Sequence, residues 1–143
     1  MDKEITLDQQ IKYIWNNIRG FHVIHYIYTG HQLGLFKLID EAGDEGISIK
    51  GLASLKYLSL SYLSKWCISG IAWDILKEEN NKIKLAAHMK YILTRPGDPR
   101  YLLPYIKSCI DHFGPDMKNH AQYYLSGKKY TFQDHGEDFS KDI

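Results

Sequence analysis

Between Phe21 and Tyr28 the chain reads FHVIHYIY, so Phe21, Val23, Ile24, Tyr26, Ile27 and Tyr28 would cover nearly every side of a helix. A helix that is apolar all round has to be covered on more than one face. A chain of 143 residues suits one domain with an ordinary core. Such a core covers only part of this segment, and a partner surface is expected to cover the rest. Just upstream, Leu7, Ile11, Ile14, Trp15 and Ile18 fall at helical spacing with Asp, Gln, Lys and Asn between them. That is an amphipathic helix, and Gly20 is expected to open a second one.

Gly34 punctuates this second helix. LFKLIDEAG reads as a short helix stopped by Gly43. Ser48 is placed to cap IKGLASL, which ends near Lys56 and Tyr57, and Ser59 or Ser61 to cap a longer helix. In that longer helix Leu60, Leu63, Cys67 and Ile71 form a stripe with Trp66 beside it. Two short helices joined by a tight turn form the core of a helix-turn-helix. The period then changes. Lys82-Ile83-Lys84-Leu85 alternates strictly behind Asn80-Asn81, and Asn tolerates the left-handed backbone of a tight hairpin turn. The fold class expected is mainly α with a small β-hairpin: a winged helix-turn-helix with flanking dimerisation helices.

After the wing the chain returns to helix. Asp98 or Pro99 is expected to start a segment whose face is Leu102, Leu103, Ile106, Cys109, Ile110 and Phe113, broken at Gly114-Pro115. Met117, Ala121, Tyr124 and Leu125 line the next helix, which ends near Gly127. KKYTFQDHGEDFSKDI has no hydrophobic face of its own and reads as a linker. The organisation expected is a helical dimerisation and winged-helix module over 1–97, a helical extension over 98–127 and a linker over 128–143.

Charge narrows the partners. Lys and Arg number 18 against 17 Asp and Glu, a net charge of +1, whereas nucleic-acid binders draw affinity from a clear basic excess. The helix from Leu60 to Trp66 offers Ser61, Tyr62, Ser64 and a single Lys65, with no arginine. A base-reading helix normally presents Arg, Lys, Asn or Gln. Lys77, Lys82 and Lys84 on the wing are offset by Glu78 and Glu79. Cys67 and Cys109 have no CxxC spacing, sit in apolar runs, and read as buried thiols of a reducing compartment. The polar start MDKEITLDQQ is no signal peptide. No apolar run approaches the ~20 residues of a bilayer span. The expected location is the cytoplasm.

His22 and His25 lie one turn apart with His31 farther on. No Cys or carboxylate joins them at helical spacing, so no metal site is expected. Trp15, Tyr26, Tyr28 and Trp66 read as core or interface aromatics, which bury the most area per residue.

From His31 to Leu93 the ordered elements resemble the N-terminal module of class I S-adenosylmethionine-dependent small-molecule methyltransferases, the natural-product O-methyltransferases among them. The Leu-Gly-Leu-Phe turn of that pattern is matched by Leu33, Gly34, Leu35 and Phe36. Its Leu-Ala helix is matched by Leu52 and Ala53, and Leu85-Ala86 stands where the pattern has Leu-Thr. Phe132, His135, Gly136 and Phe139 repeat the family's aromatic segment ahead of its cofactor domain.

The resemblance implies that this region pairs two subunits and caps a small-molecule substrate. It makes Ile14, Trp15, Ile24, Ile27 and Tyr28 the interface candidates of a homodimer. It also makes Phe113, Met117, His120 and Tyr124 substrate-wall candidates, suited to an aromatic or polyketide-like molecule. It implies S-adenosylmethionine for the full-length enzyme, bound on a Rossmann-like domain at a glycine-rich turn. No GxGxG occurs in these residues, so this chain is expected to bind no cofactor, to hold no catalytic residue and to transfer no methyl group alone. The alternative from a different class is a stand-alone winged-helix transcriptional regulator that binds DNA as a dimer. A ligand-binding winged-helix protein without DNA contact is the third reading.

Overall fold

A computed structural model describes residues 3–129 together with Thr131 and Asp134. The tail set Phe132, His135, Gly136 and Phe139 therefore lies outside the described residues, as does most of the 128–143 segment. Helix α1, Leu7–Gln32, opens on a capping box. The Thr6 hydroxyl accepts from the Gln9 N–H at 3.2 Å, and the Gln9 side chain accepts from the Thr6 N–H at 2.9 Å. The helix runs 26 residues without interruption, about 39 Å at the usual rise. Gly20 thus opens no second helix. A mid-helix Gly costs about 1 kcal/mol relative to Ala, too little by itself to end the helix. Gly34, at φ 68, does end it and turns the chain into α2, Leu35–Glu41, which buries Leu35, Phe36 and Ile39.

A 3-10 turn at Gly43–Glu45 leads to α3, Ile49–Lys56, and α4, Leu60–Ala72. Ser48 and Ser59 cap them, accepting from Gly51 N–H at 3.0 Å and Tyr62 N–H at 3.4 Å. Tyr57, at φ 54, closes α3. Strands β1, Leu76–Glu79, and β2, Lys82–Leu85, then pair antiparallel with Leu76 opposite Leu85 and Glu79 opposite Lys82. Asn80 and Asn81 both take positive φ, 53 and 60, the two-residue turn whose twist matches a hairpin. Ile47 exchanges both backbone hydrogen bonds with Ile83, at 3.0 and 2.7 Å, and so ties the hairpin to the start of α3. Leu35, Ile39, Leu52, Cys67, Leu76 and Ile83 are the enclosed centre of the core.

The later helices depart from the sequence reading in three ways. First, α5, Met89–Leu93, is followed by a turn, and α6 begins at Leu103 rather than Asp98 or Pro99. The Asp98 carboxylate accepts from the Arg100 backbone and guanidinium at 2.7–2.8 Å, so it closes a local turn instead of capping a helix. Second, Gly114-Pro115 breaks nothing. Helix α6, Leu103–Ser108, passes through a π turn, Cys109–Phe113, into α7, Gly114–Lys118. Pro115 cannot donate to the carbonyl four residues back and its ring would crowd it. The widened turn resolves this, with the Gly114 N–H donating to the Cys109 carbonyl instead. Third, Cys67 is buried as expected, but Cys109 is exposed, on the same side of the helix as the exposed Leu102 and Tyr105, three and four residues apart. Helix α8, His120–Ser126, ends at Gly127.

Candidate functional site

Two features of α1 define the site. Its second half enters the core through Tyr26 and Ile27. Its first half is bare: every described residue from Lys3 to His22 is exposed, with Ile14 at 56% and Trp15 at 62%. Leu7, Ile11, Ile14, Ile18 and Phe21 follow one another at spacings of four, three, four and three along this arm. That is the four-three spacing of a coiled-coil seam.

Where the arm joins the body, α1 and the π turn enclose an apolar groove of about 670 Å³. Phe21, Ile24 and His25 form one wall, and Ile110, Phe113 and Met117 face them across it. Cys109 and Lys118 add the other polar groups at the edge. The wall is fixed by a hydrogen bond from the Tyr28 hydroxyl to Asp111 at 2.5 Å, and the Phe21 ring lies 4.4 Å from that of His25. Further along α1, burial and then the nearby Lys107 charge hold the His31 pKa below its ordinary value. No group of three or more metal-binding side chains comes together among the described residues.

The candidates read from sequence divide on this frame. Phe113 and Met117 line the groove. His120 and Tyr124 stand outside it on α8, both exposed. Of the interface set, Ile14 and Trp15 are on the free arm, Ile24 is half-buried in the groove wall, and Tyr28 is held by Asp111. Ile27 is only 8% exposed and belongs to the chain's own core, so it offers little to a partner. Cys109 and Ile110, at the start of the π turn, also line the groove.

Lys77 and Lys84 both pair with Glu79, at 3.6 and 3.4 Å, and Tyr62 and Ile68 are exposed on α4. No helix of the described residues is long and apolar enough to cross a membrane.

No protein-family model matches the chain, and no curated protein matches its sequence. Among solved structures, one described as "PigF with SAH" matches 91% of this chain with a TM-score of 0.63 and 16% identity. The chain spans 39% of the length of that protein. At this identity the likeness is one of fold.

The described residues do not fit S-adenosylmethionine. The sheet is a two-stranded antiparallel hairpin, so there is no parallel strand-turn-helix to present backbone amides to a ligand. Gly30 is closed off by the Phe36 and Trp66 rings, and Gly34 lies under the Lys56 ammonium.

Proposed function

We propose that this chain is the dimerisation and substrate-capping part of an S-adenosylmethionine-dependent methyltransferase that acts on a small molecule, with the cofactor held by residues other than these. The observation that carries the proposal is the arm of α1, an apolar seam left bare at the mouth of an apolar groove. The fold likeness to a protein solved with SAH, the product that S-adenosylmethionine becomes on giving up its methyl group, supports the choice of enzyme class. In this reading the arms of two copies pack along Leu7, Ile11, Ile14, Ile18 and Phe21 and form an isologous interface. The groove beside them closes over an aromatic or polyketide-like substrate, with Phe113 and Met117 as its floor. No group of this chain takes part in methyl transfer.

Light scattering on the eluting protein and titration calorimetry test the two halves of the proposal. The expected result is a dimer that gives no heat with S-adenosylmethionine. A monomer at concentrations of about 100 µM, or binding of the cofactor with a Kd near 1 µM, would overturn it.

A further inference from the structure

The turn between α3 and α4 carries a second surface, independent of the groove and the arm. Leu33, Leu35, Leu58, Tyr62, Leu63 and Trp66 line an open apolar pocket of about 350 Å³. In the chain, Tyr57 and Leu60 flank the lining pair Leu58 and Ser59, and they are exposed, Tyr57 at 98%; Tyr62 on the wall is 78% exposed. Side chains of this size left bare around a pocket mark a docking surface.

Its charge is of one sign. From Ile47 to Trp73 the chain has Lys50, Lys56 and Lys65 and no Asp or Glu. Two of these ammonium groups lie beside residues that line the pocket or adjoin its lining. That of Lys56 lies over the Gly34 turn, 3.2 Å from where a Cβ would stand, between the lining residues Leu33 and Leu35. That of Lys65 lies 5.9 Å from the centroid of the Tyr62 ring. Among the described residues neither forms an ion pair with a carboxylate.

We infer that this face docks an acidic amphipathic helix of a partner protein, which seats a leucine-sized side chain in the pocket and sets carboxylates against Lys56 and Lys65. Apolar anchors give such a contact its affinity, and the rim charges set its partner choice and on-rate. Nucleic acid is the poorer fit, since the pocket and its bare Leu and Tyr side chains offer nothing to phosphate.

Fluorescence anisotropy of the full chain tests this with a labelled synthetic helix-forming peptide carrying leucines at i, i+4 and i+7 spacing among glutamates. Two control peptides replace the glutamates by lysines or the leucines by serines. Half-saturation is expected below about 100 µM for the acidic leucine peptide, with both controls at least about tenfold weaker. Lys56→Glu with Lys65→Glu, checked for an unchanged circular dichroism spectrum, should reverse the charge preference. Tyr62→Ala should weaken both charge forms about equally. Binding that ignores the charge reversal, or no half-saturation by about 1 mM, overturns the inference. So does a DNA duplex that outcompetes the peptide, or a charge-reversed variant that changes the oligomeric state, since either assigns the face to another partner.

Discussion

Replacing Gly70 by Ala should destabilise the protein by an amount that depends on one hydroxyl group. A Cβ at position 70 would stand 2.0 Å from the Tyr26 hydroxyl oxygen and 2.8–2.9 Å from Leu76 side-chain atoms. Tyr26 has nowhere to retreat. Its ring is stacked on Trp66 at 4.7 Å, meets Trp73 edge-on at 5.4 Å, and has Phe36 at 6.3 Å. Overpacking of this kind costs about 1–3 kcal/mol, offset by about 1 kcal/mol of helix preference for Ala over Gly. The net loss expected is at most about 2 kcal/mol, or up to about 8 °C in Tm for a chain of this size.

The Tyr26 hydroxyl is itself buried without a hydrogen-bond partner among the described residues, a condition that costs about 1–3 kcal/mol. Tyr26→Phe should therefore stabilise the fold by about 1 kcal/mol and remove the nearest obstacle to the new methyl group. In urea melts followed by circular dichroism, the double variant should be more stable than the sum of the singles by about 1 kcal/mol or more. Additivity within about 0.3 kcal/mol would refute the reasoning, because the methyl group would then be met by the Leu76 side chain and not by the hydroxyl. A Tyr26→Phe variant less stable than the parent would refute it as well, since the hydroxyl would then have had a partner.

Three further outcomes follow from the same contacts. Burial, and then the Glu78 charge, push the Cys67 thiol from 9.0 up to about 11, and burial, then Cys67, push the Tyr26 phenol above its ordinary 10.0. Both groups lose their protons first in the unfolded chain, so stability should be full below pH 9 and fall as the pH rises beyond it, and Tyr26→Phe should flatten the part of that slope above pH 10 in melts run across the alkaline range. Asp98 is held at about 2 by hydrogen bonds from Arg100; Arg100→Ala should return it toward the ordinary 3.8 in a carbon-detected NMR titration, with a midpoint that stays near 2 counting against the pair. Ile14→Asp with Ile18→Asp should turn the expected dimer into a monomer by light scattering while shifting the urea midpoint of the body little, because both positions lie on the free arm; a dimer that survives both changes places its interface elsewhere.

Local chemistry made most of the fold legible. Ser48, Ser59 and the Asn80-Asn81 pair announce two helix starts and a hairpin, since each residue satisfies or tolerates a backbone state that few others can. Ile83 and Leu85 alternate as a half-buried strand must. What sequence missed depends on tertiary context. Gly20 and Gly114-Pro115 read as breaks because Gly and Pro are weak helix formers. In one case the flanking helix outweighs the cost, and in the other a π turn removes the clash. That same turn carries Cys109, Ile110 and Phe113 of the groove lining, and no periodicity in the sequence encodes it. Ile27, an interface candidate, is only 8% exposed for a related reason. A run apolar on all sides does not say which side the core takes, and the core takes Tyr26 and Ile27 and leaves Ile24 to the groove.

The arm sets the strictest demand on any functional account. Its residues from Leu7 to Arg19 have helical hydrogen bonds and a capping box, and every one of their side chains is exposed. An isolated helix of this length is marginal in water, and Asn16, Asn17 and Gly20 are weak formers that lower it further. Each large apolar side chain covered fully by a second arm returns about 1.5–3 kcal/mol, so a seam of Leu7, Ile11, Ile14, Ile18 and Phe21 suffices to order two arms against each other. Amide hydrogen exchange read against concentration exposes that coupling. Protection of the arm should rise with protein concentration, in step with association, while protection of the Leu35–Ile39 core stays constant. An arm that exchanges slowly even where the protein is monomeric would mean that the helix stands alone, and the need for a second copy would fall with it.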